Sequence, residues 1–438
     1  MDDAWDCYFL EDPQRELIMP RSPHLVPLLP EPFSALACPA CGSSKVEVRG
    51  SVWPGIHVLG VYACRACGLD FLRDLPVGFA VDHPMAIGIR DGKLYNPSNG
   101  PGWIHVPLMN GHADQRPEEV GIERVVHRHC ERIVVLNALD FLYGHVLLKL
   151  YNAQYYLDHH PGLGLVVVVP RMFLWLVPEG VAEVWLVDQR LGDARNWHTG
   201  IDRFVQAQLP RYKEVYLGKG YAHPEFAGMD IERFSKVAPF PLDQFLERPP
   251  HITFVLREDR LWIGGPVLKL LYRVARKLGR KGPLLRWFIH AQDRLVRRSI
   301  KRIRRLVPQA RFAVVGLGRP GGMPPDVVDL RTLKMDTQTE LAWCRQYASS
   351  QVVVGVHGSN MLLPTAHSAG CVEILPYDRY GNMVQDISVR YHNRMQLFLY
   401  RFIDEFATPR CVARHVVSIF TDFKVYNQDN QVNIFQAE

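Results

Sequence analysis

The sequence predicts two α/β units built on parallel sheets, preceded by a small four-cysteine ribbon. Three observations carry this. Apolar runs rich in valine, such as LGLVVVVP, RFAVVGLG and QVVVGV, alternate with stretches of helical period, which is the pattern of βαβ units. Two C-x-x-C pairs lie close together near the N-terminus. A length of 438 residues suits two or three domains.

Residues 1–34 are proline-rich and read as an irregular segment. Their first sixteen, MDDAWDCYFLEDPQRE, are acidic and lack an apolar run, so no signal peptide is expected. Residues 35–75 form the ribbon. Cys38 and Cys41 make one knuckle, Cys64 and Cys67 a second, and 22 residues separate the two. Gly42 and Gly68 follow the knuckles and permit the tight turn that aims two thiolates at one point. Four thiolates satisfy tetrahedral zinc and leave no open position, so a structural rather than catalytic zinc is expected. The chain has nine cysteines. Their odd number and paired spacing fit a reducing compartment, and a cytoplasmic protein is expected.

The first α/β unit is expected over 76–240. RIVVLNA, LGLVVVVP, VAEVWLVD and KEVYLG read as strands, and FLYGHVLLKLYNAQYYLDHH and IDRFVQAQLPRY as helices. The apolar run 163–187 is interrupted by Pro170, Arg171, Pro178 and Glu179, so it reads as two strands and not as a membrane span. The second unit is expected over 241–438. HITFVLRED, RFAVVGLG, VVDL and QVVVGV are strands, DTQTELAWCRQYASS is a helix, and MVQDISVRYHNRMQLFLYRFIDEF reads as further helix.

The most informative stretch is QVVVGVHGSNMLLPTAHSAGCVEILP (351–376), a buried strand running into a small polar turn. In a parallel sheet, ligands bind beyond the carboxyl ends of the strands. A helix starting near Ser359 or Asn360 offers free amides to an anion, Gly358 lets a ligand approach the backbone, and His357 adds a donor. Glu373 closes the next strand, where a carboxylate can accept the hydroxyls of a ribose or sugar. Arg257 ends the strand of HITFVLRED and can grip a diphosphate through two parallel bonds. Together these read as the chemistry of a nucleotide-diphosphate sugar site.

SSQVVVGVHGSNMLLPTAHSAGCVEILP resembles the signature of glycosyltransferase family 61, a strand, HGA-type turn, helix and strand ending in E-x-x-P. HITFVLRED resembles that family's strand ending in arginine, TQTELAWCRQYASS its helix before the signature, and LYGHVLLKL its histidine-bearing N-terminal helix. The match spans about 130–438 in element order and is specific near 340–376. It departs from the pattern at Ser359 and Asn360, and the ribbon and the long basic segment lie outside it. The resemblance implies a GT-B-like architecture of two Rossmann-like domains facing a cleft, with metal-independent sugar transfer to a hydroxyl acceptor. On that basis Arg257, Gly358, Ser359 and Asn360 would hold the donor's diphosphate and Glu373 its hydroxyls. His145 leads as general base, with His357 and Asp378 behind it.

Fifteen Lys or Arg and a single acid, Asp293, fall between Lys269 and Arg311, although the whole chain carries a net charge of only +6. Residues 264–309 read as an insertion of two basic amphipathic helices broken at Gly279–Pro283. Trp287 and Phe288 near the break suggest insertion into an anionic membrane surface, which suits a lipid-linked or polysaccharide-precursor acceptor and a peripheral position on the membrane's inner face. The competing reading is a nucleic-acid-associated binding protein using the ribbon and basic helices. It is less favoured, because the basic residues are confined to one segment. A degenerate transferase acting as a scaffold is a third reading. No GxxxxGK[ST] occurs, and GLGRPGG lacks dinucleotide-loop spacing.

Overall fold

The computed structural model describes residues 22–30, 32, 36–95, 102–117, 119–226, 228–278, 283–391 and 393–429. Two six-stranded sheets dominate. In the first, the order across the sheet is Leu25–Leu29, Glu214–Gly218, Arg132–Asn137, Gly164–Pro170, Glu183–Asp188 and Gly121–Val126. The four inner strands are parallel, and the two edges run antiparallel to them. In the second, the order is Val328–Asp329, Arg311–Leu317, His251–Arg257, Val352–Val356, Gly370–Leu375 and Tyr400–Asp404. This sheet is parallel throughout.

The inner strands are apolar on both faces because both faces are covered. In the first unit one cover is shared between a helix, through Ile201 and Val205, and the ribbon, through Trp53, Tyr62 and Phe71, which pack with Ile133, Val166 and Trp185. Every residue of Gly164–Pro170, Val352–Val356 and Gly370–Leu375 is buried. The crossovers are the helices the sequence places there: Tyr143–His159 and Thr199–Gln208 in the first unit, Thr337–Ala348 and Leu362–His367 in the second. One hydrophobic cluster runs through both units, joining Leu147, Val167 and Phe173 to Phe254, Val314 and Leu362.

The ribbon is an antiparallel sheet of Val46–Val52, Leu59–Cys64, Asp70–Asp74, Ala86–Gly88 and Leu94–Tyr95. It extends past residue 75, because the chain turns back and pairs Ala86 with Arg73. Leu25–Leu29 lies within the segment read as irregular, yet it pairs with Glu214–Gly218 at the sheet edge. That edge tolerates Pro27, since only one side must form a ladder.

Two helical expectations change. MQLFLYRFIDEF is a short helix, Met395–Leu399, followed by the sixth strand. Its run of apolar residues fits either state, and pairing with Gly370–Leu375 decides it. The basic segment is not an appendage. Its second helix, Pro283–Leu306, is the crossover between His251–Arg257 and Arg311–Leu317, and it packs on a long terminal helix, Pro409–Asp429. Val296, Ile300 and Ile303 bury its inner stripe. Phe288 is buried against Leu261, Tyr272 and Ala275, so it is not available for membrane insertion, whereas Trp287 is exposed. Among the described residues, no helix is long and apolar enough to cross a membrane.

Candidate functional site

The carboxyl ends of strands from both large sheets border one cavity of about 190 Å3. From the second unit come Arg257, at the end of its strand, and Ser359 and Asn360, in the turn after Val352–Val356. From the first come Tyr143, Met172 and Leu191, each just beyond one of three adjacent strands. Trp343, Tyr347, Leu363 and Pro364 complete a largely apolar wall.

The turn is built by close packing. Gly355 sits where a Cβ would lie 2.5 Å from the Met361 sulfur. Gly358 has φ 147°, and a Cβ there would collide with the Arg260 guanidinium, so this position needs glycine for both conformation and space. Arg260 Nη1 donates to the His357 carbonyl at 2.7 Å and fastens the turn. The helix expected to begin at Ser359 or Asn360 is a 3-10 turn, Ser359–Met361, followed by only six α-helical residues, Leu362–His367. This turn therefore lacks the extended helix N-terminus that would hold an anion. What the turn does present is Ser359 and Asn360 side chains, and Asn360 Oδ1 is buried with no hydrogen-bond partner among the described residues.

Arg257 lines the cavity as expected, but its fork is engaged by Asp259, with Nε to Oδ1 at 2.7 Å and Nη2 to Oδ2 at 2.5 Å.

Glu373 and His357 depart from expectation. Gly370–Leu375 lies between two neighbours in the sheet, and Glu373 pairs in register with Gly355, short of the strand end. Its side chain is 0% exposed, as is that of His357, and His357 Nδ1 lies 2.5 Å from Glu373 Oε2. On the other side, His357 Nε2 faces the Asn382 carbonyl at 3.3 Å and Asp386 at 3.9 Å. Neither side chain reaches the cavity, so the donor-hydroxyl role for Glu373 and the catalytic role for His357 are withdrawn. Burial pushes the Glu373 carboxyl up to about 7 against the pull of His357. Burial also disfavours the His357 cation, but Glu373 outweighs it and raises that imidazole.

His145 lies on Tyr143–His159, two residues after the cavity-lining Tyr143 and so on a different face of the helix, and is not part of that wall. Its Nδ1 is 3.3 Å from Asp140 Oδ1, and Lys149 Nζ is 3.2 Å from Asp140 Oδ2. Burial alone would raise Asp140, but Lys149 and His145 outweigh it and hold the carboxyl well below the usual carboxylate range. Asp140 thus lies against the Nδ1 edge of the ring as an ion-pair neighbour. The ring packs near Phe79 and His223, with centroids 5.2 and 5.7 Å away. His223 in turn lines an open groove of about 530 Å3 with Asn152, Tyr155 and Tyr221. Asp378 lies elsewhere, on a second cavity among basic side chains.

Sequence reasoning missed Glu340. It lies on the cavity wall and accepts hydrogen bonds from the Tyr143 hydroxyl and, at 3.2 Å, from Trp175 Nε1, both in the first unit. Burial pushes its carboxyl up to about 7, with the Tyr143 and Trp175 bonds pulling down. The signal was a lone acid on the buried stripe Glu340, Trp343, Cys344 and Tyr347 of its helix.

The four ribbon cysteines converge as expected. All four sulfurs lie within 4.8 Å of one another, with Cys38–Cys67 and Cys41–Cys64 at 3.6 Å. Zinc–sulfur bonds of about 2.3 Å place tetrahedral sulfurs about 3.8 Å apart, so the cluster fits a structural zinc. Gly42 and Gly68 both have positive φ, 72° and 77°, and donate to the Cys38 and Cys64 carbonyls at 2.9 Å.

No protein-family model matches the chain, and no curated protein matches it.

Proposed function

We propose that the chain is a glycosyltransferase similar to family 61, with a GT-B-like pair of domains, moving a sugar from a nucleotide-diphosphate donor to a hydroxyl acceptor. The observation that carries the reading is the cavity walled by the carboxyl ends of strands of two parallel-sheet units, where such folds bind ligands. Trp343 and Tyr347, both largely buried, border the cavity with apolar edges against which a nucleobase would pack. Arg257 supplies a guanidinium, and Ser359 and Asn360 supply polar contacts for the donor's phosphates or sugar. His145, beside Asp140, is the candidate base. The aromatic and amide-lined groove that reaches its neighbour His223 is the candidate acceptor surface. Charge on the leaving diphosphate needs a positioned cation, and the acceptor oxygen needs a base within reach.

The test is a thermal-shift screen over nucleotide sugars, followed by calorimetry and product analysis with the best donor. A ligand at one hundred times its Kd stabilises the native state by about 2.7 kcal/mol. Arg257→Ala is expected to weaken donor binding at least tenfold. His145→Gln is expected to lower turnover and leave donor affinity within about twofold, because it removes a base and no phosphate contact. Donor affinity unchanged in Arg257→Ala refutes the assignment of the cavity.

A further inference from the structure

A second cavity, of about 410 Å3, opens on the far side of the 356–360 turn, at the carboxyl ends of the strands ending at Arg257, Val356, Leu375 and Asp404. Its cations are Arg260, Lys269, Arg273, Arg276 and Arg379, and its acids are Asp259, Asp378 and Glu405. Two of the acids are already matched, Asp259 by Arg257 and Glu405 by Lys269. Four guanidiniums then face one carboxylate. Arg273, Arg276 and Arg379 have no ion-pair partner among the described residues. Burial, and then the nearby Arg379 and Arg257, hold the Arg260 guanidinium below its ordinary range, so the cations crowd one another.

We propose that this cavity is a binding site for a phosphate-bearing anion, gripped by Arg260, Arg273, Arg276 and Arg379. Several guanidiniums converging on a concave site match a phosphate or diphosphate group, whose oxygens accept parallel N–H bonds. The site is separate from the apolar cavity between the two units, and it holds whether or not the chain transfers sugars. Two sources of the anion share this chemistry, a soluble phosphate ester and a lipid headgroup. The outer face of the same helix, Pro266–Leu278, gives the second source substance. It turns Lys269, Tyr272, Arg273 and Arg276 into the cavity, while Val267, Leu270, Leu271 and Val274, at helical spacing, are exposed to solvent. Leu284 and Trp287 of the next helix are exposed as well.

The experiment has two arms, both without nucleotide sugar, so its failure does not touch the transferase reading. In the first, inorganic pyrophosphate is titrated into the full chain by calorimetry at low salt. The double variant Arg273→Ala/Arg276→Ala is expected to weaken binding about tenfold or more, and Arg379→Ala also to weaken it. Arg302→Ala, an exposed arginine outside the cavity, is expected to change nothing. In the second, sedimentation measures retention on phosphatidylcholine vesicles with and without phosphatidic acid. Retention that requires phosphatidic acid, and is lost in Arg273→Ala/Arg276→Ala and in Leu270→Asp/Leu271→Asp, supports the site with a lipid headgroup as its source. Pyrophosphate binding without vesicle retention supports the site with a soluble phosphate as its source. Binding of neither ligand overturns the proposal, as does equal weakening in Arg302→Ala, which signals diffuse charge and not a site.

Discussion

Replacing Glu373 with alanine separates a structural from a ligand-binding role. Both His357 and Glu373 have fully buried side chains, 2.5 Å apart. Breaking a buried pair by removing one partner costs about 3–5 kcal/mol, because the remaining group keeps its desolvation penalty without compensation. For a unit of roughly 200 residues, each kcal/mol moves the midpoint by about 2–4 °C, so Glu373→Ala is expected to lower Tm by roughly 10 °C. Glu373→Gln keeps the volume and an acceptor for the His357 N–H, and the loss should fall to about 1–2 kcal/mol. The assay is scanning fluorimetry paired with urea unfolding, read at pH 7, with donor affinity measured on the fraction that remains folded. The structure requires lost stability and, below the unfolding transition, near-native affinity. An unchanged Tm together with abolished donor binding refutes it and returns Glu373 to the cavity.

Glu340→Gln tests the carboxyl between the units. Its folded pKa, about 7, is above the ordinary 4.5, so the native state binds the extra proton between those values. That contribution is fully present below pH 4.5 and lost as pH rises through 7, with a slope of up to about 1.4 kcal/mol per pH unit. The wild type's urea midpoint should fall across this window more steeply than the variant's, and parallel curves refute the reading. Removing metal tests the ribbon. Elemental analysis should find one zinc per chain, lost in Cys64→Ser, and chelation should expose residues 36–75 to protease while both parallel sheets persist by circular dichroism. Retained zinc in Cys64→Ser refutes the four-thiolate site.

The parts of this fold visible in the sequence are those set by local rules. Cys38, Cys41, Cys64 and Cys67 needed only spacing and two glycines. The inner strands declared themselves because burial on both faces forces continuous apolar runs. Direction inside the sheet was hidden. Glu373 reads as a strand-end carboxylate, but the register that sets it against Gly355, and the turn that carries His357 back over it, are tertiary facts. Glu340 was hidden for the same reason, since its partner Tyr143 is 197 residues away. The crossover role of Pro283–Leu306 was masked by its charge. Its exposed face is so basic that the buried stripe of Val296, Ile300 and Ile303 was read as one side of a free amphipathic helix.

The pairing of Arg257 with Asp259 bears on whether the cavity between the units can take a diphosphate. Asp259 keeps 61% of its side-chain surface in solvent and Arg257 keeps 27%. An ion pair this open contributes about 0–1 kcal/mol. A bidentate bond to phosphate replaces the same two N–H contacts in kind, so exchanging Asp259 for a ligand oxygen carries little penalty. Meanwhile the carboxylate holds the intrinsically planar fork in place, which reduces the rotamer entropy lost when the anion arrives. Asp259→Ala discriminates between these effects. Where Asp259 serves to pre-orient Arg257, the variant binds donor more weakly, although it removes a negative charge from the site. Where Asp259 only competes, the variant binds more tightly. The short, two-point geometry of the pair favours weakening, and tighter binding would refute the pre-orienting role.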